Sequence, residues 1–287
     1  MLRLLVWFLL ACALGAAAPL SAAQPLDGTL KKLAAQRKLA LGYRVDAAPF
    51  SFRGPDGVPA GYSVDLCTRV AASLQQQLKL PRLDVVWVPV TAADRIAKVR
   101  RGAVDLECGT TTVTLARMAE VDFSSLIFVD SGSWVSLIDG PRRLQQLAGR
   151  TVGVLAGSTS EGRLQAALQA RMVGATVVRI GNEADAIRAL VDKRIDAFAN
   201  DRLALVGRVM LAQPEGAAFT LSEEDFSMEP YALMMRRDPA LRLAVNRALA
   251  QIYRGPVLEE LYNAWFGKFG PPTPLLAAMY VLHAYGE

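Results

Sequence analysis

Strand-like and helix-like segments alternate along this chain, and the series starts again after about residue 150. Short apolar runs with strand character are separated by runs that have the period of an amphipathic helix. Such alternation predicts open α/β sheets with helices on both faces. The first series comprises KLALGYR (38–44), the helix YSVDLCTRVAASLQQQL (62–78), LDVVWVPV (83–90), the helix TAADRIAKVRRG (91–102) and AVDLEC (103–108). The second comprises TVGVLAG (151–157), the helix SEGRLQAALQARM (160–172), TVVRIG (176–181), the helix NEADAIRALVDKR (182–194) and IDAFAN (195–200).

The two series resemble each other at a constant offset of 91 residues. Ala93-Asp94 recurs as Ala184-Asp185, and Val104-Asp105 recurs as Ile195-Asp196. Any amphipathic helix followed by a strand agrees with another such pair at some apolar positions. The shared register and the aspartate near the start of each strand nevertheless favour two related α/β lobes.

The first 25 residues predict export. MLRLLVWFLLACALGAAAPLSAAQP contains one cation, an apolar stretch from Leu4 to Ala18 and the small residues Ser21-Ala22-Ala23. This is the pattern of a secretory signal peptide, here residues 1–23, and it predicts a periplasmic protein. The stretch is short for a permanent membrane anchor. Cys12 follows Leu-Leu-Ala, as a lipid-attachment cysteine does, but its early position inside the apolar stretch argues against a lipoprotein.

Composition excludes several classes of function. Without the leader, 31 basic residues face 27 acidic ones, and the basic residues occur as scattered pairs rather than as a stripe with aromatic residues. Nucleic-acid binding is therefore poorly supported. The single histidine, His283, lies near the end of the chain, and there is no CxxC, HExxH, GxSxG or Gly-rich phosphate loop. We therefore expect no metal, no cofactor and no catalysis by Ser-His or Cys-His pairs.

Two cysteines, Cys67 and Cys108, remain after the leader. An oxidising compartment permits a disulfide between them, and two buried thiols fit the sequence equally well.

Three polar clusters follow predicted strands at their carboxyl ends, where open α/β sheets bind ligands. They are GTTTVTLAR (109–117), GSTSE (157–161) and Asp201. Threonines also suit strand ends and helix caps, and Arg117 alone fits a solvated charge on a first helical turn. Taken together, however, the three clusters predict a cleft between facing lobes.

The residue types in this cleft suit a zwitterion. An arginine fork holds a carboxylate, and threonine hydroxyls add neutral donors. Ser158 and Glu161 have capping-box spacing, which predicts a helix starting at Ser158 whose free N–H groups attract an anion. Asp201 supplies the opposite charge, although it also fits an ordinary acid at the start of a helix. A free amino acid satisfies both ends of this arrangement.

The segment GAVDLECGTTTVTLARMAEVDFSSLIFVDSG (102–132) resembles the signature of the family 3 periplasmic solute-binding proteins, the amino-acid receptors of ABC transporters. LGYRVDAAPFSF, PAGYSVDLC and AWFGKFGPP are most similar to its glutamate/aspartate-binding branch, and the similarity runs from about residue 39 to 272. The resemblance implies a type II fold with two α/β lobes joined by a two-strand hinge. It also implies a monomer that delivers a free amino acid to a membrane-embedded permease and its ATPase.

The resemblance further assigns roles to individual residues. One set holds the ligand's main-chain groups and another its side chain. Arg117 and Thr159 meet the α-carboxylate, Thr110 and Thr112 contact main-chain groups, Asp201 takes the α-ammonium, and Arg44 faces the side chain. Ser133, in the crossing segment SGSWVSL, completes the candidate ligand-binding set.

Glu183 departs from the branch. It stands where the glutamate/aspartate receptors have a histidine that helps to hold the side-chain carboxylate. If Glu183 faces solvent, the charge of Arg44 determines the side-chain specificity and the ligand is glutamate or aspartate. If both residues face the pocket, they pair, and an amide side chain such as that of glutamine or asparagine fits. We favour the acidic ligand because the surrounding sequence follows that branch.

The resulting hypothesis is capture by hinge closure, without covalent chemistry. Lobe 1 comprises residues 24–133 and 234–287, lobe 2 comprises residues 134–233, and the crossing segments SGSWVSL and EPYALMM form the hinge. Two rivals remain. One is a dehydratase on this scaffold with Glu183 as general acid. The other is a signalling receptor subunit, against which the missing second membrane segment and intracellular domain count.

Overall fold

A computed structural model describes residues 26–212 and 218–286 of the chain. The predicted signal peptide, residues 1–23, lies outside the described residues. Within the described part, no helix is both long enough and apolar enough to cross a membrane.

Strands and helices alternate over most of the described chain. The strands are β1 (Lys38–Arg44), β2 (Asp46–Ala47), β3 (Ser51–Arg53), β4 (Pro59–Ala60), β5 (Asp84–Val90), β6 (Leu106–Glu107), β7 (Asp122–Leu137), β8 (Thr151–Leu155), β9 (Thr176–Ile180), β10 (Ala197–Asp201), β11 (Phe219–Leu221) and β12 (Ser227–Met235). The helices are α1 (Gly28–Gln36), α2 (Tyr62–Gln77), α3 (Arg95–Arg100), α4 (Leu115–Met118), α5 (Ser160–Ala170), α6 (Glu183–Val191), α7 (Arg202–Ala212), α8 (Pro239–Arg254), α9 (Val257–Phe266) and α10 (Pro274–Leu282). Short 3₁₀ turns lie at residues 144–147 and 267–269.

One sheet runs through the molecule in the order β5-β1-β6-β12-β7-β10-β8-β9, with β11 paired to β7. At one end β5, β1 and β6 are parallel, and at the other end β10, β8 and β9 are parallel. Between them lie the long strands β7 and β12, which pair antiparallel to each other and to both ends. The predicted two-lobed α/β fold with a two-strand connection is confirmed.

Buried side chains fall into separate clusters on either side of β7 and β12. Two clusters use the described residues between 30 and 128 together with those from 231 onward. The other two use residues 134–226 only. Phe128 and Tyr231 belong to the first group, whereas Trp134 belongs to the second, so the core changes partway along the crossing strands.

Every strand and helix of both predicted series is present. Most have shorter bounds than predicted, but β1 has the predicted bounds and β10 ends one residue later, at Asp201. Helix α3 begins at Arg95 instead of residue 91, because Thr91 and Asp94 exchange side-chain and backbone hydrogen bonds and form a turn there. The offset of 91 residues holds for the strands that follow, since β6 begins at Leu106 and β10 at Ala197.

The predicted capping box at Ser158 and Glu161 is wrong. Helix α5 begins at Ser160, and its N-cap residue, Thr159, makes no side-chain capping bond. The Ser158 hydroxyl donates instead to the Leu155 carbonyl at 2.7 Å, and Glu161 accepts from Arg179. Both side chains have nearby partners that compete with capping, a local choice that spacing alone does not reveal.

Cys67 and Cys108 form a disulfide inside the first core, with their Cα atoms 6.1 Å apart. This resolves the alternative that the sequence left open. The bond ties helix α2 to the residue just before the threonine segment that begins at Gly109.

Candidate functional site

The threonine segment turns sharply over the end of β6. A Cβ at Gly109 would press against Glu107 Oε1 and lie 3.2 Å from Arg44 Cγ, so a larger residue here would displace two buried side chains. Ser63 Oγ donates to the Gly109 carbonyl at 2.9 Å and holds the turn. As a result Thr110, Thr111 and Thr112 are all buried.

Arg117 lies on α4, whose first turn is capped by the Thr114 hydroxyl. The guanidinium is buried and reaches both sides of the molecule: Nη1 donates to the Thr112 carbonyl at 2.8 Å and Nη2 to the Gly157 carbonyl at 3.2 Å. Burial lowers the pKa of Arg117, against the opposing effect of the carboxylates of Glu107 and Asp201. The interpretation of Arg117 as a solvated surface charge is therefore excluded.

Thr112 and Thr159 meet at a third residue. Their hydroxyls lie 3.4 Å apart, and each donates to Glu229 Oε2 at 2.7 Å. Glu229 lies on β12 and is fully buried. Two of the predicted ligand-binding hydroxyls, one from each end of the sheet, are thus brought to the same point.

Asp201 ends β10 and faces the same region. Its Oδ2 accepts from the Tyr231 hydroxyl, whose oxygen also lies 3.4 Å from Asp130 Oδ2. Burial raises the pKa of Asp201 to about 7, and the nearby negative charge of Glu229 adds to that rise. Burial and the charge of Asp201 raise the pKa of Asp130 to about 8. A cation bound here would hold these carboxylates in their ionised form.

Arg44 and Glu183 face each other across the two halves. Arg44 Nη2 lies 3.8 Å from Glu183 Oε1, and both side chains are almost fully buried. Asp46 is the closer partner of Arg44: its Oδ1 accepts from Nε at 2.9 Å and lies 2.8 Å from Nη2. Burial lowers the pKa of Arg44, but the carboxylates of Asp46 and Glu183 outweigh it and the net shift is upward.

Glu183 is the first residue of α6, and only 1% of it is exposed. Its Oε1 accepts from Asn200 Nδ2 at 3.1 Å, whereas Oε2 has no hydrogen-bond partner among the described residues. Burial raises the pKa of Glu183 to about 8, with a further contribution from Asp46 and opposition from Arg44 and Arg208. The alternative in which Glu183 turns to solvent is excluded.

Arg95 belongs to the candidate site, and the sequence analysis did not single it out. It opens α3, only 2% of it is exposed, and its Nε and Nη1 have no hydrogen-bond partner among the described residues. Burial, together with repulsion from Arg117 and Arg44, lowers its pKa to about 9, despite the opposing charges of Glu107 and Asp201. A signal was present, because Arg95 follows the carboxyl end of β5 just as Thr110 follows that of β6.

Ser133 stands apart from the other predicted residues. It is fully buried on β7, and its hydroxyl lies 2.5 Å from the Ser222 hydroxyl, which bonds the Glu224 carbonyl in turn. None of the hydrogen bonds of the described residues connects Ser133 to the rest of the predicted set. The structure brings together Arg44 with Glu183, and Arg117 with Thr112 and Thr159.

The arrangement offers buried donors and acceptors of both charges between the two halves. Gly157 packs tightly against the loop that precedes α3, since a Cβ there would lie 2.8 Å from the Ala92 carbonyl oxygen. The described residues contain no cluster of His, Cys, Asp or Glu suited to a metal ion. A site with unused arginine donors at one place and buried carboxylates at another suits a small molecule that carries both charges.

Comparison with known proteins gives concordant matches. The family model for bacterial extracellular solute-binding proteins, family 3, matches residues 39–268. An L-glutamate/L-aspartate-binding protein of Pseudomonas aeruginosa is 33% identical over 256 residues, covering 88% of this chain and 84% of that protein. A glutamate/aspartate import solute-binding protein of Salmonella typhimurium is 29% identical over 250 residues, with 86% and 82% coverage.

Solved structures share the fold. The crystal structure of the ancestral amino acid-binding protein AncCDT-1, a precursor of cyclohexadienyl dehydratase, superposes with a TM-score of 0.71 at 27% identity. The match covers 83% of this chain and the whole of that one.

Proposed function

This chain belongs to family 3 of the bacterial extracellular solute-binding proteins, and we propose that it captures a free acidic amino acid, glutamate or aspartate, between its two lobes. The observation that carries the proposal is the pair of buried arginines, Arg95 and Arg117. Arg95 has donor groups that no described residue uses, and Arg117 reaches across both halves. Two buried cations in one site suit a ligand with two carboxylates.

Each part of the ligand then has a counterpart. Arg117, Thr110, Thr112 and Thr159 receive the α-carboxylate and main-chain groups, and Asp201 receives the α-ammonium. Arg95 and Arg44 receive the side-chain carboxylate. Glu183 takes part as a protonated carboxyl, because burial raises its pKa to about 8 and leaves it mostly neutral at pH 7. In that form it donates a hydrogen bond to an anionic side chain rather than repelling it.

A second candidate ligand is a neutral amide, glutamine or asparagine. It is favoured by the geometry around Arg44, whose Nε is already hydrogen-bonded to Asp46, and by the unpartnered Oε2 of Glu183. An amide NH₂ would donate to that oxygen if Glu183 is ionised, and the amide oxygen would accept from an arginine. The two candidates differ in the protonation state of one carboxyl group.

We further propose that the two lobes close around the ligand. Lobe 1 takes residues 24–133 and lobe 2 begins at residue 134, as the sequence predicted. The chain returns to lobe 1 at about residue 231 rather than at the predicted residue 234, because Tyr231 and Leu233 pack in the first core. The hinge then lies in β7 and β12. Closure aligns groups that belong to different lobes, such as Arg117 with the Gly157 carbonyl.

The protein in this proposal is a monomer in the periplasm that delivers its ligand to a membrane-embedded permease driven by an ATPase. It performs no covalent chemistry. The curated relatives reported above are named as binding proteins, which supports this assignment. The dehydratase rival keeps one supporting observation, a buried carboxyl group with a raised pKa at Glu183, and incubation with cyclic amino-acid precursors tests it by product formation.

A thermal-shift screen against the free amino acids tests the proposal. A ligand at one hundred times its dissociation constant stabilises the folded protein by about 2.7 kcal/mol. Glutamate or aspartate should give the largest shift, and Arg117→Ala should lose it. A largest shift with glutamine or asparagine would favour the second candidate, and a preference for lysine or arginine would refute both.

A further inference from the structure

Glu229 is a buried carboxylate at the centre of the proposed site. Neither the sequence analysis nor the proposed ligand contacts assign it a role. It is fully buried on β12. Both of its oxygens accept hydrogen bonds from hydroxyl groups: Oε2 from Thr112 and Thr159, and Oε1 from Ser227 at 2.5 Å. Among the described residues, its ion-pair partner is Arg163, whose Nε lies 3.9 Å from Oε1 and whose side chain is 43% exposed.

The hydroxyl groups that Glu229 holds come from opposite ends of the sheet. Thr112 belongs to the segment after β6 and is bridged to Tyr231, whereas Thr159 stands at the start of α5. Thr159 occupies an N-cap position without capping the helix, because its hydroxyl points to Glu229 instead. Glu229 therefore fastens the two halves of the molecule through a single oxygen atom.

A threonine hydroxyl has one proton to donate. While Thr112 and Thr159 donate to Glu229, neither can donate to the carboxylate of a ligand. The charge of Glu229 also affects the neighbouring groups, since it contributes to the raised pKa of Asp201 and opposes the lowered pKa of Arg117. A ligand carboxylate that approaches Arg117 thus meets a second carboxylate that already holds the hydroxyl donors.

We propose that Glu229 is an internal competitor of the ligand's α-carboxylate: it occupies the hydroxyls of Thr112 and Thr159, clasps the two halves together and so sets the affinity of the site. This inference rests on the proposed function, because it takes the ligand to be an amino acid. When the ligand binds, the hydroxyl of Thr112, of Thr159 or of both turns its hydrogen bond from Glu229 to the ligand's α-carboxylate. A buried carboxylate that loses charge-assisted hydrogen bonds is destabilised, and that cost weakens binding.

The test is Glu229→Gln, which keeps the shape and one acceptor oxygen but removes the charge. Calorimetric titration with glutamate and aspartate at pH 7 should show binding about tenfold tighter than in the unsubstituted protein, since neutral hydrogen bonds are roughly half as strong as charge-assisted ones. The gain should be smaller when Glu229→Gln is introduced into Thr159→Val, where only the Thr112 hydroxyl is still contested, and an undiminished gain would overturn the inference. Unchanged or weaker binding in Glu229→Gln would overturn the inference, and weaker binding would place Glu229 on the α-ammonium.

Glu107→Gln is the matched control. Glu107 is also fully buried and accepts a threonine hydroxyl, but its donor is Thr111, in the same turn. Neutralising it removes a nearby negative charge without freeing either contested hydroxyl. Equal tightening in both variants would reduce the effect to charge and overturn the competition.

Hydrogen exchange without added amino acid tests the clasp independently. Amides in residues 157–163 should exchange faster in Glu229→Gln than in the unsubstituted protein and in Glu107→Gln, and equal rates in all three would overturn the clasp. If no amino acid binds the unsubstituted protein, the proposed function fails and the competition fails with it. If amino acids bind but Glu229→Gln does not tighten them, the competition alone fails.

Discussion

Replacing Glu183 by glutamine should remove a pH dependence from ligand selection. The Glu183 carboxyl is buried, its Oε2 has no hydrogen-bond partner among the described residues, and burial raises its pKa to about 8. Asp46 supports that rise, whereas the cations Arg44 and Arg208 and the Asn200 amide oppose it. In the proposed site, protonated Glu183 would donate a hydrogen bond to the ligand's side-chain carboxylate, and ionised Glu183 would repel that carboxylate.

The size of the effect follows from the fraction of Glu183 that is protonated. With a pKa of about 8, roughly nine tenths of the molecules carry the proton at pH 7 and about one in eleven at pH 9. If glutamate binds only the protonated form, its dissociation constant should rise about tenfold from pH 7 to pH 9, or about 1.4 kcal/mol. Glutamine should lose nothing through this group.

Calorimetric titrations with glutamate and with glutamine at pH 7, 8 and 9 provide the assay. The two ligands share the α-ammonium and the α-carboxylate, so the ratio of their dissociation constants cancels the titration of Asp201 and of the ligand's amino group. The ratio should move about tenfold toward glutamine in the unsubstituted protein. In Glu183→Gln it should stay constant, because the side chain no longer ionises.

The same group gives a signature in stability. The folded pKa of Glu183 lies above its ordinary value of 4.5, so the folded state binds the proton more tightly than the unfolded state. Stability from this group is therefore complete below about pH 4.5 and is lost as the pH rises through about 8. Glu183→Gln should lack that loss. A constant ratio of dissociation constants in the unsubstituted protein, or the same slope in the variant, would refute the reasoning.

Three further predictions concern Arg117, the disulfide and closure of the two lobes. Arg117→Ala should weaken binding by about 2–5 kcal/mol in a protein that still folds, as measured by calorimetry. Arg179→Ala removes a surface arginine bonded to Glu161 and should bind normally. Unchanged affinity in Arg117→Ala would remove Arg117 from the site. Reduction of the Cys67–Cys108 bond, which closes a loop with a separation of 41 residues, should lower the free energy of unfolding by about 4 kcal/mol in urea titrations, and a Cys67→Ala/Cys108→Ala protein should not respond to reductant. An insensitive unsubstituted protein would contradict that assignment. Saturating ligand should reduce the radius of gyration in solution scattering, and identical curves with a ligand proven to bind would count against hinge closure.

Periodicity predicted the elements well because each sheet strand and amphipathic helix repeats its burial pattern over several residues. The strand-end rule also singled out Thr112 and Thr159, whose hydroxyls the structure brings to the same carboxylate, without reference to that partner. It failed to single out Arg95, because a basic residue on an amphipathic helix has the same local pattern whether it faces solvent or a cleft.

The remaining contacts depend on long-range placement. Glu229 meets Thr112 across 117 positions of sequence and Thr159 across 70, so no local spacing predicts either bond. The capping box at Ser158 illustrates the opposite error: a correct local spacing lost to a hydroxyl–carbonyl bond one turn earlier. The orientation of Glu183, which the sequence left open, was likewise decided by the approach of α6 to β2 and the Arg44 side chain.

The path of the chain through its cores has a consequence for the order of assembly. One group of core clusters is drawn from a continuous stretch, residues 134–226, whereas the other needs residues before 128 and residues after 231. During synthesis from the amino end, the core formed by residues 134–226 can therefore be completed first. Strand β6 pairs with β12 only after β12 has been synthesised. During that interval the edge of β6 and the apolar faces beside it stay uncovered. The chain is therefore most prone to aggregation before β12 has been added to the sheet.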